Sequence, residues 1–323
     1  MKYFYSSFII TALGLFISYF LGGLSAVYIC FLLCILEISF SFDNAVVNAK
    51  VLNDMSEVWQ KRFIVWGIPI AVFGMRFLFP LLIVAIAAKI GLFETFFLAL
   101  KNPDGYQEIL NKCKEEIYIF GGGFLLMVFN KFFFDKNRDI FWLKIIENNI
   151  FVRFLRQIKG ITILVAVIFG VILYIKTANL TYLAIYFSAI LAFIIVSSFD
   201  NFFSSNGVKN GLAGFLYLEM LDASFSFDGV IGAFALSENI FIIMIGLGSG
   251  AMFVRSMTIY LVKKHTLKEL IYLEHGAHYA ILALALIMFL KIYYEVNEVI
   301  TGTISFVFIV ASFFVSLKSK TNL

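Results

Sequence analysis

Long apolar stretches recur along the whole chain, and they constrain its fold more than any other feature. The hydrocarbon core of a bilayer is about 30 Å thick, and a helix needs roughly 20 apolar residues to cross it. Stretches near that length fall at residues 6–22, 26–49, 63–88, 117–134, 161–175, 182–199, 211–236, 240–262, 277–290 and 299–317. They predict an all-α fold, a polytopic membrane helix bundle of about ten spans, organised as a single membrane domain over residues 1–323. Of 323 residues, 62% are hydrophobic and 14% are charged. Soluble domains carry about 25% charged residues, and a soluble fold could not bury so much apolar surface. The N-terminal run resembles a secretory leader. It is longer than a leader's apolar core, so a retained first helix is expected.

Charge and cysteine content exclude other classes. The net charge of +4 is no signature of a nucleic-acid partner. Cys30, Cys34 and Cys113 make no disulfide framework, and Cys30 and Cys34 read as small packing residues. With ten spans, the 25 Lys and Arg divide 17 to 6 between the two sides, while Arg76 and Arg255 lie inside spans. Cytoplasmic loops are the richer in Lys and Arg. That bias puts both termini in the cytoplasm and implies an integral protein of a bacterial inner membrane, with the lipid bilayer as its first partner. The loops 89–116 and 135–160 do not read as folded soluble domains.

The chain repeats itself. Glu37-Ile38-Ser39-Phe40-Ser41-Phe42-Asp43-Asn44 matches Asp222-Ala223-Ser224-Phe225-Ser226-Phe227-Asp228-Gly229, at an offset of 185 residues. Each copy is followed by a helix carrying arginine, with Gly67 nine residues before Arg76 and Gly246 nine before Arg255. Repeat one covers about 26–134 and repeat two about 211–290. The motifs fall in spans two and seven, so they cross the membrane in opposite directions. Inverted-topology repeats with a site at the midplane are a hallmark of secondary transporters.

Seven ionisable groups lie at depth: Glu37, Asp43, Arg76, Glu219, Asp222, Asp228 and Arg255. Each costs about 2.5–3.5 kcal/mol or more at a helix centre if unpaired, so they must face one another, a cavity or an ion. Glu37, Asp43, Asp222 and Asp228 against Arg76 and Arg255 leave two negative charges, which one divalent cation or two protons would neutralise. The donors, carboxylates with the Asn44 amide and the Ser41 and Ser226 hydroxyls, are hard oxygens. They suit Mn²⁺, Mg²⁺ or Ca²⁺ better than softer metals. Glu219 is a further candidate ligand or an interfacial acid. Arg76 and Arg255 compensate charge, either as packing residues or as gates. His278, three residues after His275, is a further ligand, a proton relay, or an interfacial residue at a helix start. A six-residue spacing sets Glu37 and Asp43 120° apart on a regular helix. Either the helix unwinds locally or the acids lie at different depths along a path.

These residues resemble the TerC family of integral membrane proteins, within the LysE-like transporter superfamily. Glu37…Asp43-Asn44 is similar to that family's first acidic motif, and Glu219…Asp222…Asp228 to its second. Arg62…Trp66-Gly67…Arg76 is similar to its arginine segment. Gly229 stands where the family usually has Ser, and ten spans exceed its usual seven or so. The resemblance implies export of Mn²⁺ or a similar divalent ion, with the metal as substrate and no other cofactor. It also brings in tellurite resistance as an alternative role. A non-transporting metal-binding scaffold is a second reading. An intramembrane aspartyl protease, built on paired Asp residues, is a third, and the G-x-G-D sequence of such proteases is missing. No enzyme activity is expected.

Overall fold

The computed structural model describes residues 2–203, 211–234, 236–237, 239–264, 270–294, 296 and 298–320. Among them there are helices and no strands. The described residues of the ten apolar stretches are largely helical, with a break at Ser41 inside the second. Among the described residues, four helices are long and apolar enough to cross a membrane, or five if one bent pair counts as a span.

The first is α1, Tyr5–Phe40, and it is not one rod. Gly22 and Gly23 carry non-helical backbone angles inside it. Both halves pack on the same helix, α12 (Ile240–Lys263). Ser7 Oγ donates to Met252 O at 2.9 Å, Gly14 abuts Ile245 and Ser249, and Gly22 lies near Ile242. Past the glycines the order reverses: Gly246 abuts Cys30 and Leu33, and Gly250 abuts Glu37. Ser18 sits beside Cys30 and Thr11 beside Cys34. Residues 5–21 and 24–40 are therefore the arms of a tight hairpin; the stretch 26–49, expected as one span, is instead divided between the second arm and α2 (Phe42–Asn53). Gly246 and Gly250, four apart on α12, let the second arm approach to backbone contact, the small-residue packing common between membrane helices.

At Ser41 the chain breaks, with φ −102° and ψ 18°, and restarts as α2, Phe42–Asn53. Then α3 (Glu57–Pro69) runs into a π-helical stretch, Ile70–Leu78, and α4 (Phe79–Ala88). Pro69 has no N–H to donate, so it removes a rung of the α ladder where the wider π turn begins. The stretch 89–116, read as loop, holds α5 (Leu92–Lys101) and the first turns of α6 (Pro103–Phe133), capped by the Asn102 side chain accepting from Gly105 N at 3.0 Å. After α6 come α7 (Lys144–Glu147), α8 (Ile150–Gln157), α9 (Ile161–Thr177) and α10 (Leu180–Phe203). The order ends with α11 (Gly211–Phe234), α12, α13 (Leu273–Leu290) and α14 (Glu298–Lys320). α6 is the central post: α10 and α13 pack along it, and its stretch from Gly121 to Asn130 is buried throughout.

The repeated Ser-Phe-Ser-Phe-Asp takes two conformations. In the first copy it is broken at Ser41, and in the second it lies inside the unbroken α11. Local sequence is nearly the same in both, so tertiary surroundings decide the difference.

Candidate cation site

The site forms where α1, α2, the π stretch and α11 converge. Arg76, 2% exposed, is its centre. Its Nη2 donates to Glu37 Oε1 at 2.5 Å, and its Nη1 to Asp222 Oδ2 at 2.8 Å. Asn44 Nδ2 donates to Asp222 Oδ1 at 2.9 Å. Ser41 Oγ donates to Glu37 Oε1 at 2.9 Å, which gives the helix break a local role: the serine turns back onto the acid one turn earlier. Glu37 belongs to the first motif and Asp222 occupies the equivalent place in the second. One guanidinium thus ties the two motif copies together, in a place where two unpaired carboxylates would be costly.

Asp43 sits in the first turn of α2, 1% exposed, where the helix dipole favours a negative charge. Its Oδ1 accepts the Asn44 N–H at 2.9 Å, and its Oδ2 has no hydrogen-bond partner. Asn44 Oδ1, Asn48 Oδ1 and both oxygens of Glu219 are likewise buried without one. Arg255 Nη2 lies 3.8 Å from Glu219 Oε1. Its Nη1 donates to Phe63 O at 3.2 Å, and the guanidinium sits 3.9 Å above the Phe63 ring. A Cβ on Gly67 would overlap that guanidinium, so the Gly67–Arg255 pairing joins the arginine segment of one repeat to that of the other. A cavity of about 10 Å³, lined by Asn48, Arg76, Asp222, Arg255 and Thr258 among others, opens between these groups. It has room for about one water-sized occupant.

Of the residues predicted from sequence, Glu37, Ser41, Asn44, Arg76 and Asp222 are brought into contact, and Glu219 and Arg255 form a neighbouring pair. The side chains of Ser226 and Asp228 lie outside the described residues. Among the described residues, no three of His, Cys, Asp and Glu are gathered closely enough to hold a metal ion. His278 lies elsewhere. It stacks on Phe132 with centroids 3.8 Å apart, and its Nδ1 pairs with Glu274 O at 2.8 Å.

His278 lines a second cavity of about 230 Å³. Val47, Lys50 and Asp54 of the α2 region border it, as does Glu274, which pairs with Lys50 at 3.2 Å. α2 therefore leads from this cavity to Asn48, Asn44 and Asp43.

Two features escape the sequence reading. Asn48 is one, and its signal was present: it follows Asn44 by four residues in an apolar stretch, hence on the same helix face. The other is Glu147 in the basic stretch 135–160. Arg138 donates to it at 2.6 Å, the Trp142 and Leu143 amides at 3.1 and 3.2 Å, and the Tyr279 hydroxyl at 3.1 Å. His275 Nε2 lies 3.7 Å away. Burial holds the Arg138 guanidinium below its ordinary pKa, against the opposing pull of Glu147. This network pins the 135–149 segment to α13. Trp142 and the pair Ile145-Ile146 in so basic a stretch were the available hint of folded structure.

No curated protein and no solved structure matches the chain. A family model described as a protein of unknown function, DUF475, matches residues 42–322, from the second half of the first acidic motif almost to the C-terminus. The chain belongs to the DUF475 family.

Proposed function

We propose that this protein is an integral membrane transporter that exports a divalent cation, Mn²⁺ before Ca²⁺ or Mg²⁺, through an acidic site between two inverted repeats. In this reading about ten helices cross a bacterial inner membrane, both termini are cytoplasmic, and no reaction is catalysed. One observation carries it. Asp43, Asn44, Asn48 and Glu219 all present buried oxygen acceptors without hydrogen-bond partners around the point where the two motif copies meet. Buried polar groups are ordinarily satisfied, and a set made only of hard acceptors calls for a cation or for water bound as a donor. Arg76 then acts as a resident countercharge. When the cation arrives, the guanidinium gives up Glu37 or Asp222; when the cation departs, proton entry and return of the arginine restore the resting charge.

The same lock supports a second reading, a metal-binding scaffold or tellurite-resistance component without flux, because Arg76 already engages Glu37 and Asp222. Purified protein reconstituted in vesicles enclosing a metal-sensitive dye separates the two. Mn²⁺ flux that is lost in Asp43→Asn, Asp222→Asn and Asp228→Asn is the expected result. Metal binding without flux in the unaltered protein favours the scaffold. Flux unchanged by all three substitutions sinks the site.

A further inference from the structure

The segment between α6 and α9 carries an apolar face that nothing in the described chain covers. In α8, Val152 and Arg156 are buried, and Arg156 Nε donates to Phe133 O at 3.1 Å. Ile150, Phe151 and Phe154 are 86%, 68% and 61% exposed. At about 100° per residue the helix divides into three sectors. Val152 and Arg156 face the protein, Ile150, Phe151 and Phe154 form an outward apolar sector, and Arg153 and Gln157 form a polar one. In α7, Ile145 is 89% exposed as well.

Orientation and charge say what covers this face. α8 meets α9 at 105°, and α9 exposes Ile163, Leu164 and Ile168 along its length. If α9 runs across the bilayer, α8 runs along its surface. Lys144, Arg153 and Lys159 are exposed beside the apolar sector. The one acid between 144 and 159 is Glu147, which is buried and already engaged by Arg138, two backbone amides and Tyr279. The accessible charge of the segment is therefore positive. An apolar sector flanked by exposed cations is the pattern of a helix lying in the membrane interface, and cations there attract anionic lipid.

We infer that α7 and α8 form an in-plane anchor, with Ile150, Phe151 and Phe154 at the acyl boundary and Lys144, Arg153 and Lys159 binding the headgroups of anionic phospholipids. The Glu147 network makes this anchor a fixed part of the bundle and couples it to α13. The inference is independent of what the protein moves.

The test uses the full chain reconstituted in phosphatidylcholine vesicles containing phosphatidylglycerol. Lipid retained by the purified protein should be enriched in phosphatidylglycerol. The triple variant Lys144→Gln, Arg153→Gln, Lys159→Gln should lose that preference by about fivefold per residue. A nitroxide on Phe151→Cys should collide more with oxygen than with a water-soluble nickel chelate; the native cysteines are buried. Unchanged phosphatidylglycerol preference in the triple variant overturns the proposal. So does a label more accessible to the chelate. Label broadening that disappears on dilution with unlabelled protein also overturns it, because a second copy of the chain would then cover the face.

Discussion

Arg76 holds two carboxylates with two nitrogens, a geometry that depends on the planar fork of a guanidinium. In Arg76→Lys a single ammonium cannot reproduce both bonds, and one buried acid is stranded. Unfolding of the purified protein in detergent should show a loss of about 3 kcal/mol or more. Asp43 is the opposite case. Its Oδ2 has no hydrogen-bond partner, so Asp43→Asn removes a buried charge without breaking an ion pair. The same measurement should find its stability unchanged or raised by about 1 kcal/mol, even as flux is lost. If Asp43→Asn destabilises as strongly as Arg76→Lys, Asp43 is structural. Asn48→Leu keeps the branched outline of the side chain, adds bulk and deletes an acceptor. It should cost about 1–3 kcal/mol of stability and weaken Mn²⁺ flux in the vesicle assay.

At the scale of elements, glycines determine how the helices meet. Gly23 has φ +66° and ψ −155°, a region that is essentially glycine's alone. A Cβ there would meet nothing within 4 Å, so Gly23→Ala tests backbone strain alone. It should cost about 1–3 kcal/mol, read as a lower unfolding midpoint in detergent. Gly250 has no such backbone demand, but a side chain there would run into Glu37. Gly250→Val should push α1 from α12 and disturb the Glu37–Arg76 pair, lowering both stability and flux. The break at Ser41 belongs to this scale as well. Ser41 Oγ reaches Glu37, whose carboxylate Arg76 holds from another element, so the break is stabilised from outside its own segment.

For the molecule as a whole, α6 and the Glu147 network connect the bundle to its surface segment. Glu147→Gln would leave Arg138 buried without its carboxylate partner. Limited proteolysis should then cut within 135–149 faster than in the unaltered chain, with the helices of the core protected as before. Unchanged cleavage would mean that the apolar contacts of Trp142 and Phe141 hold the segment alone.

Hydropathy by itself determined that the chain is helical and built for a bilayer, because apolar runs of that length and so few charges leave a soluble fold no way to bury them. The repeat and the intramembrane charges marked Glu37, Asn44, Arg76 and Asp222 as a set, since a charge at depth needs a partner and these residue types supply one another. Which acid meets which base was a matter of tertiary structure. Arg76 goes to Glu37 and Asp222, and Arg255 to Phe63 O beside Glu219, because Gly67 leaves room for one guanidinium and the π turn re-aims the other. Two copies of one pentapeptide likewise take different backbone courses, so the pentapeptide alone does not place the break. The anchor helix was illegible for a related reason: its basic residues mark a loop in sequence, and only the right-angled turn into α9 and the burial of Val152 and Arg156 reveal a face turned outward.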